Sequence, residues 1–201
     1  MKFTEINKQL LSYIIESTNR PELIKQLLTI LQKYNYAFIG GFAVSFYSKN
    51  ARKISPDDID IMVSKAEVNN LKKELESIGF ELKDNHYFQD MYWLVYKKDN
   101  QNVDIAVVDD VISLKGILSA TKFNYHGNTI RVFNVYYLII NKLLAGRSKD
   151  HKDIVYLLKT IDDIKKITML VKKYAPDEIE YFKQLLEDMN YPDNVIDQLY
   201  K

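Results

Sequence analysis

Hydrophobic residues recur along this chain with two different periods, and the change from one to the other divides it. Residues 5–17 and 21–34 show helical spacing; in the second stretch Leu23, Leu27, Ile30 and Leu31 share one face, and Pro21 suits a first turn. Tyr36-Ala37-Phe38-Ile39 is a short apolar run, read as a buried strand, that ends in Gly40-Gly41. Phe42 to Tyr47 contains no breaker and is expected to start a helix directly after the glycines. Lys49 to Asp57 is a polar loop, after which Asp58-Ile59-Asp60-Ile61-Met62-Val63 alternates charge with bulk in the manner of a strand with one polar face. Ser64-Lys65-Ala66-Glu67 matches a helix capping box, followed by Val68, Leu71, Leu75 and Ile78 at helical spacing, with Gly79 closing the helix. Residues 80–82, 91–96 and 103–108 read as further strands, with a turn at 99–102, and 122–125 with 129–133 as a hairpin around His126-Gly127-Asn128.

From Asn134 the period changes. Helical patterns cover roughly 134–145, 149–159, 161–174, 177–189 and 193–200, with Asp162 and Pro176 as expected helix starts. The fold class is therefore α/β in the α+β sense: a mixed sheet flanked by helices over residues 1–133, then a helical C-terminal domain over 134–201.

Composition narrows the chemistry. With 201 residues, 47% hydrophobic and 27% charged, the chain can bury a sizeable core. Its 28 basic and 27 acidic side chains leave a formal net charge of +1, which argues against a protein that coats nucleic acid but leaves a local groove available. The absence of cysteine excludes disulfides, thiolate metal sites and cysteine nucleophiles. No apolar run approaches the roughly 18 residues of a membrane span, and the N-terminus lacks a secretory signal; a cytoplasmic location is expected.

The chemistry concentrates on three acids. Alternation puts Asp58 and Asp60 on one strand face, about 6.5–7 Å apart along the chain. Carboxylates so placed repel one another, and a divalent cation relieves the repulsion. Asp104, in Val103-Asp104-Ile105-Ala106-Val107, sits on another apolar strand and would complete a triad if the two strands were neighbours. Magnesium prefers a few carboxylates together with phosphate oxygens and water. Gly40 and Gly41 fit the phosphate end, since glycines at a strand-to-helix turn let backbone N–H groups approach an anion. Seventeen positions separate Gly41 from Asp58.

The stretch Ile39-Gly40-Gly41-Phe42-Ala43-Val44, followed by Asp58-Ile59-Asp60-Ile61, resembles the defining motif of the polymerase-beta-like nucleotidyltransferase superfamily. Lys142-Leu143-Leu144-Ala145-Gly146-Arg147-Ser148-Lys149-Asp150-His151-Lys152-Asp153-Ile154 resembles a second motif, that of the AbiEii-like abortive-infection toxins and related minimal and antibiotic-modifying enzymes. The resemblance spans roughly residues 35–160. It implies that Gly40, Gly41 and Ser45 border the triphosphate. It makes Asp58, Asp60 and Asp104 the ligands of Mg2+ (or Mn2+), with Asp104 as ligand or base. Lys142 would reach the phosphates and Asp153 would orient it or contact the nucleotide, with Arg147 and Lys149 as weaker candidates. The expected activity is transfer of a nucleoside monophosphate from an NTP to a hydroxyl of tRNA, protein or a small molecule such as an antibiotic. The toxin likeness adds an antitoxin protein as a partner. The loop Arg52 to Asp57 is about a residue longer than the commonest pattern of the superfamily.

Two readings of other classes stay open: a catalytically silent nucleotide- or partner-binding module on the same fold, and a metal-dependent phosphodiesterase. His86, His126 and His151 are scattered and read as structural or solvent-facing. Trp93 reads as core or half-exposed sheet, and Lys142 alone would be an ordinary solvated lysine.

Overall fold

The computed structural model describes residue 15 and residues 21–49, 58–88, 91–98 and 101–200. The expected helix over 5–17 lies, but for Ile15, outside the described residues, as does the loop 50–57. Contacts divide the chain into two units, residues 1–134 and 135–201.

In the first unit the apolar run Tyr36–Phe38 forms strand β1, preceded by helix α1 (Pro21–Leu31) and followed by helix α2 (Gly40–Tyr47). Strand β2 (Asp58–Ser64), helix α3 (Val68–Ser77), strands β3 (Glu81–Phe88), β4 (Met91–Lys98) and β5 (Gln101–Val108), helix α4 (Val111–Leu118) and strands β6 (Thr121–Tyr125) and β7 (Asn128–Val132) complete it. The strands make one mixed seven-stranded sheet in the order β3-β4-β5-β2-β1-β7-β6. β2 runs parallel to β5 and β1 parallel to β7, and the other pairs are antiparallel.

Alternation decides which side is core. Ile59, Ile61, Val63, Val103, Ile105, Leu94 and Tyr96 are buried on one face. Helices α1 and α3 belong to that side: Tyr96 Oη donates to Glu76 of α3 at 3.5 Å, and Lys98 Nζ donates to Gln26 of α1 at 2.7 Å and to the Ile78 carbonyl at 2.6 Å. Tyr34 Oη and Lys33 Nζ both reach Glu74, tying the segment after α1 to α3. Burial and the Glu74 acceptor push the Tyr34 phenol up to about 12.

Local chemistry departs from expectation at three places and meets it at the hairpin. The capping box at Ser64–Glu67 does not form: Ser64 ends β2, and the Glu67 carboxylate accepts from the Asn35 backbone N–H and side-chain amide instead. Strand β3 runs to Phe88 although its middle is polar, because as an edge strand it exposes residues 81–87 and needs no alternation. Helix α4 was not expected; Asp110 caps it, accepting from Ser113 N at 2.8 Å. The His126-Gly127 pair takes positive φ at both residues (48° and 82°), the geometry of a two-residue hairpin turn between β6 and β7.

The second unit consists of α5 (Val135–Ala145), α6 (Ser148–Leu158), α7 (Ile164–Tyr174), a 3-10 turn (Pro176–Glu178), α8 (Ile179–Asp188), α9 (Asp193–Ile196) and a 3-10 turn (Asp197–Leu199). Its core is the apolar stripes of Leu138, Ile139, Leu143, Ile154, Leu157, Ile167, Val171, Phe182 and Leu186, all buried. The cap of α7 is Asp163, accepting from Lys166 N at 3.0 Å, one residue beyond the expected Asp162. Among the described residues no helix is long and apolar enough to cross a membrane.

Candidate active site

Strands β2 and β5 are neighbours, as a shared ion requires. Their parallel register sets Asp60 opposite Asp104 and Asp58 opposite Asn102. Residues paired in register point to the same side of a sheet, so Asp60 and Asp104 share the face opposite the α1/α3 core. Both are half-buried. Asp58 occupies a position on the same face, two residues along β2 from Asp60. Among the described residues no group of three or more His, Cys, Asp or Glu side chains is close enough to hold a metal ion. Asp60 and Asp104 are the two expected ligands whose side chains are described.

The glycine turn meets this face directly. Ile39 N donates to the Asp60 carbonyl at 3.0 Å, which carries the β1–β2 ladder up to the turn. Gly40 then takes φ +55°, and a Cβ there would lie 1.8 Å from Asp60 Oδ2. Only glycine therefore permits both the turn and the approach of backbone to the carboxylate. Helix α2 begins without a side-chain cap at Ile39, and its first backbone bond is Ala43 N to Ile39 O at 3.2 Å. The N–H groups of Gly40, Gly41 and Phe42 thus precede the helical ladder, the arrangement that suits an anion at a helix N-terminus. Ser45, further along α2, is fully buried.

Residues Lys142 to Ile154 form a separate cluster inside the helical unit. Lys142 is 6% exposed, Asp150 1% and Asp153 3%. Lys142 Nζ donates to Asp150 Oδ1 and Asp153 Oδ2, each at 2.7 Å, joining α5 to α6. Arg147 Nε and Nη2 donate to the same Asp150 carboxylate at 2.5 and 3.1 Å. Burial pushes the Asp150 carboxyl up, but the hydrogen bonds and charges of Arg147 and Lys142 outweigh it and hold the group below the usual carboxylate range. Two of the three ammonium donors of Lys142 are spent within this unit. Lys149 is exposed. A cleft of about 440 Å³ adjoins the cluster, lined among others by Lys142, Arg147, Ser148, His151, Glu178 and Tyr181.

One feature of the sheet reads as background in the sequence. Trp93 lies on the aspartate face, since it pairs with Ala106 of β5, two residues from Asp104. Its half-buried position was legible, but the face was not, because that follows only from the β4–β5 register.

The sequence matches no family model and no curated protein. Solved structures do share the fold. The crystal structure of ANT(2")-Ia in complex with adenylyl-2"-tobramycin aligns with a TM-score of 0.55 at 14% identity, covering 78% of this chain and 97% of that one. The solution structure of the same antibiotic-resistance factor aligns at 0.55 with 13% identity, covering 87% and 99%. A lincomycin-bound lincosamide antibiotic adenylyltransferase, LnuA, aligns at 0.47 with 20% identity over 68% and 97%. The chain has the nucleotidyltransferase fold, a mixed sheet flanked by helices.

Proposed function

We propose that this chain transfers the nucleoside monophosphate of an NTP to a hydroxyl group, releasing pyrophosphate. The observation that carries the reading is the register pair Asp60–Asp104 with Gly40 packed against the Asp60 carboxylate. A hard divalent cation fits this donor set, because it is all oxygen, acidic, and adjacent to a backbone turn built for close approach. Asp58, Asp60 and Asp104 would hold Mg2+ or Mn2+, which supplies charge neutralisation for the triphosphate and activates the attacking hydroxyl.

The residues of the chain then have separate tasks. Gly40 and Gly41 give the triphosphate backbone N–H donors at the start of α2 without a side chain in the way. The acceptor oxygen attacks the α-phosphorus, and the bond from that phosphorus to the bridging oxygen of the β-phosphate breaks. Pyrophosphate leaves with the electron pair. Asp104, on the β5 side, takes the hydroxyl proton or orients the group that does. Positioning and charge stabilisation supply most of the rate in such transfers.

Lys142 and Asp153 receive a different assignment from the one their motif implies. We read both as structural, since the ammonium is buried and shared between two carboxylates of its own unit. Ser45 is likewise read as packing within α2, away from the nucleotide. The likeness to an antibiotic-resistance factor solved with adenylyl-2"-tobramycin supports a small-molecule hydroxyl as acceptor. The alternative, a toxin acting on tRNA or protein with an antitoxin partner, rests on the motif from Lys142 to Ile154, whose charges are engaged internally.

The test is incubation of the full chain with α-labelled ATP, Mg2+ and three acceptor sets: tobramycin, total RNA and cellular protein. Label entering an acceptor and disappearing with Asp60→Asn supports transfer. Shortening of RNA without label uptake would point to a phosphodiesterase. No uptake by any set, with ATP still bound, would point to a silent nucleotide-binding module.

A further inference from the structure

Lys142, the cation that the second motif offers the phosphates, is spent inside the helical unit, so a side-chain cation for the triphosphate has to come from the sheet unit. Among the described residues three cations fall on the aspartate face by strand pairing: Lys97 of β4, Arg131 of β7 and Lys122 of β6. Arg131 is turned away. It stands level with Met62, past Asp60, and its guanidinium donates to Asn35 Oδ1 at 3.5 Å and to the Ile117 carbonyl at 3.3 Å. Lys122 is exposed and three strands from β2. Lys97 is placed otherwise. The row at the start of β2 runs Asp58, Asn102, Lys97, Glu81 across β2, β5, β4 and β3. Lys97 is thus diagonal to Asp104, about 7–8 Å between Cα atoms, a gap that a long side chain bridges. It is half-buried, and its ammonium makes no hydrogen bond or ion pair with the described residues. Its register partner Glu81 is bonded to Lys83 instead; that bond and the Lys83 charge, with Lys97 adding charge alone, hold the Glu81 carboxyl below the usual carboxylate range. A partly desolvated ammonium without an anion of its own is costly, and a ligand that brings the anion relieves the cost.

We propose that Lys97 is a phosphate-binding residue of this site: its ammonium donates to a non-bridging oxygen of the α-phosphate, on the flank of the reacting phosphorus opposite the glycine turn. The inference rests on the transferase reading above and adds the side chain that meets the reacting phosphoryl group. Strand order selects the α-phosphate. β4, β5, β2 and β1 lie side by side, and the glycine turn follows β1. A triphosphate whose tail sits at that turn, with its α-phosphorus over Asp60 and Asp104, has its reacting end towards β4. An ammonium there balances the charge on the phosphoryl oxygens while the bond to the leaving oxygen breaks. Lysine suits the place because it is a point charge with three donors on a flexible stem.

Binding is measured on the full-length protein in Mg2+ with three probes: ATP, its α,β-methylene analogue, which cannot react, and pyrophosphate, which lacks the α-phosphate. Lys97→Met keeps the stem and removes the charge, Lys97→Arg keeps the charge, and Lys83→Met removes the neighbouring cation as a control. The expected result is a Kd for ATP and the analogue raised about tenfold or more in Lys97→Met, the worth of one charge-assisted hydrogen bond, with the Kd for pyrophosphate unchanged. Affinity should be largely restored in Lys97→Arg and unaltered in Lys83→Met, with melting temperatures near wild type throughout. Equal ATP affinity in wild type and Lys97→Met overturns the contact. An equal loss for pyrophosphate overturns it too, since the ammonium would then serve the β- and γ-phosphates, and so does an equal loss in Lys83→Met, which would make the effect one of general charge. A wild type that binds ATP with the expected pattern but transfers it to no acceptor keeps the Lys97 contact and removes the transferase reading; a wild type that binds no ATP removes both.

Discussion

Aspartates are clustered in both units, and the two clusters are built for opposite ends. In the helical unit Asp150 and Asp153 are almost wholly buried, and Lys142 and Arg147 of the same unit meet their charges within hydrogen-bond distance. That cluster is balanced and closed. In the sheet Asp60 and Asp104 are like charges in register on adjacent parallel strands, half-buried, with a glycine turn pressed against one of them. Burial with internal compensation reads as a structural network, whereas the half-buried pair beside the start of α2 is the site proposed above for a ligand from outside.

Asp60→Asn should separate the two most sharply. It keeps the side chain's shape against Gly40 and removes one charge from the pair, so turnover with labelled ATP should fall about a thousandfold or more, some 4 kcal/mol of lost transition-state stabilisation. Its urea midpoint should stay at or slightly above wild type because a repulsion is relieved. Retained turnover would end the transferase reading.

Lys142→Met should do the reverse. Removing one partner of a buried ion pair costs about 3–5 kcal/mol, because the carboxylates it served stay buried. Urea denaturation should report that loss, while the ATP KM of the folded fraction should stay near wild type. A variant with normal stability and a much weaker ATP KM would return Lys142 to the phosphates.

Gly40→Ala lies between these. The new Cβ meets Asp60 Oδ2 at an impossible distance and sits at a positive φ. The left-handed conformation alone costs about 1–2 kcal/mol for a residue with a Cβ, and Asp60 must move to admit the methyl group. Thermal melting should show a modest drop and turnover a large one. A drop in melting temperature with unimpaired turnover would show that Asp60 needs no fixed position.

Much of this contrast could be anticipated from residue patterns, and the rest could not for identifiable reasons. Strand alternation announced Asp58–Val63, and the Gly-Gly pair announced a strand-to-helix turn, because both signals are local. The partner of β2 was not local: β5 begins more than forty positions further along, and only hydrogen bonding decides that Asp60 faces Asp104. The fate of Lys142 depended on Asp150 and Asp153, which lie on the next helix and approach it only when α5 and α6 fold together. A helix-surface lysine and a buried one read alike in sequence. Helix α4 was missed because its cap, Asp110, followed a strand so closely that it looked like part of a turn. Edge strand β3 hid its length behind polar residues for the same reason that edges tolerate them.

The smallest effect expected concerns acid. Because Asp150 is held below the usual carboxylate range in the folded protein, with burial opposing and Arg147 and Lys142 outweighing it, folding favours its ionised form. The unfolded chain then binds a proton more readily than the folded one, so stability contributed by Asp150 is complete above about pH 4, the ordinary carboxylate value. It declines as the pH falls through the lowered folded value. Asp150→Asn should flatten that part of the acid limb in a plot of urea midpoint against pH, while Asp109→Asn, at an exposed pair with Lys65, should leave the limb nearly as steep as in wild type. An acid limb equally steep in wild type and Asp150→Asn would mean that the closed cluster is not what ties this fold to pH. The division between the buried network of the helical unit and the site proposed in the sheet would then rest on the turnover measurements alone.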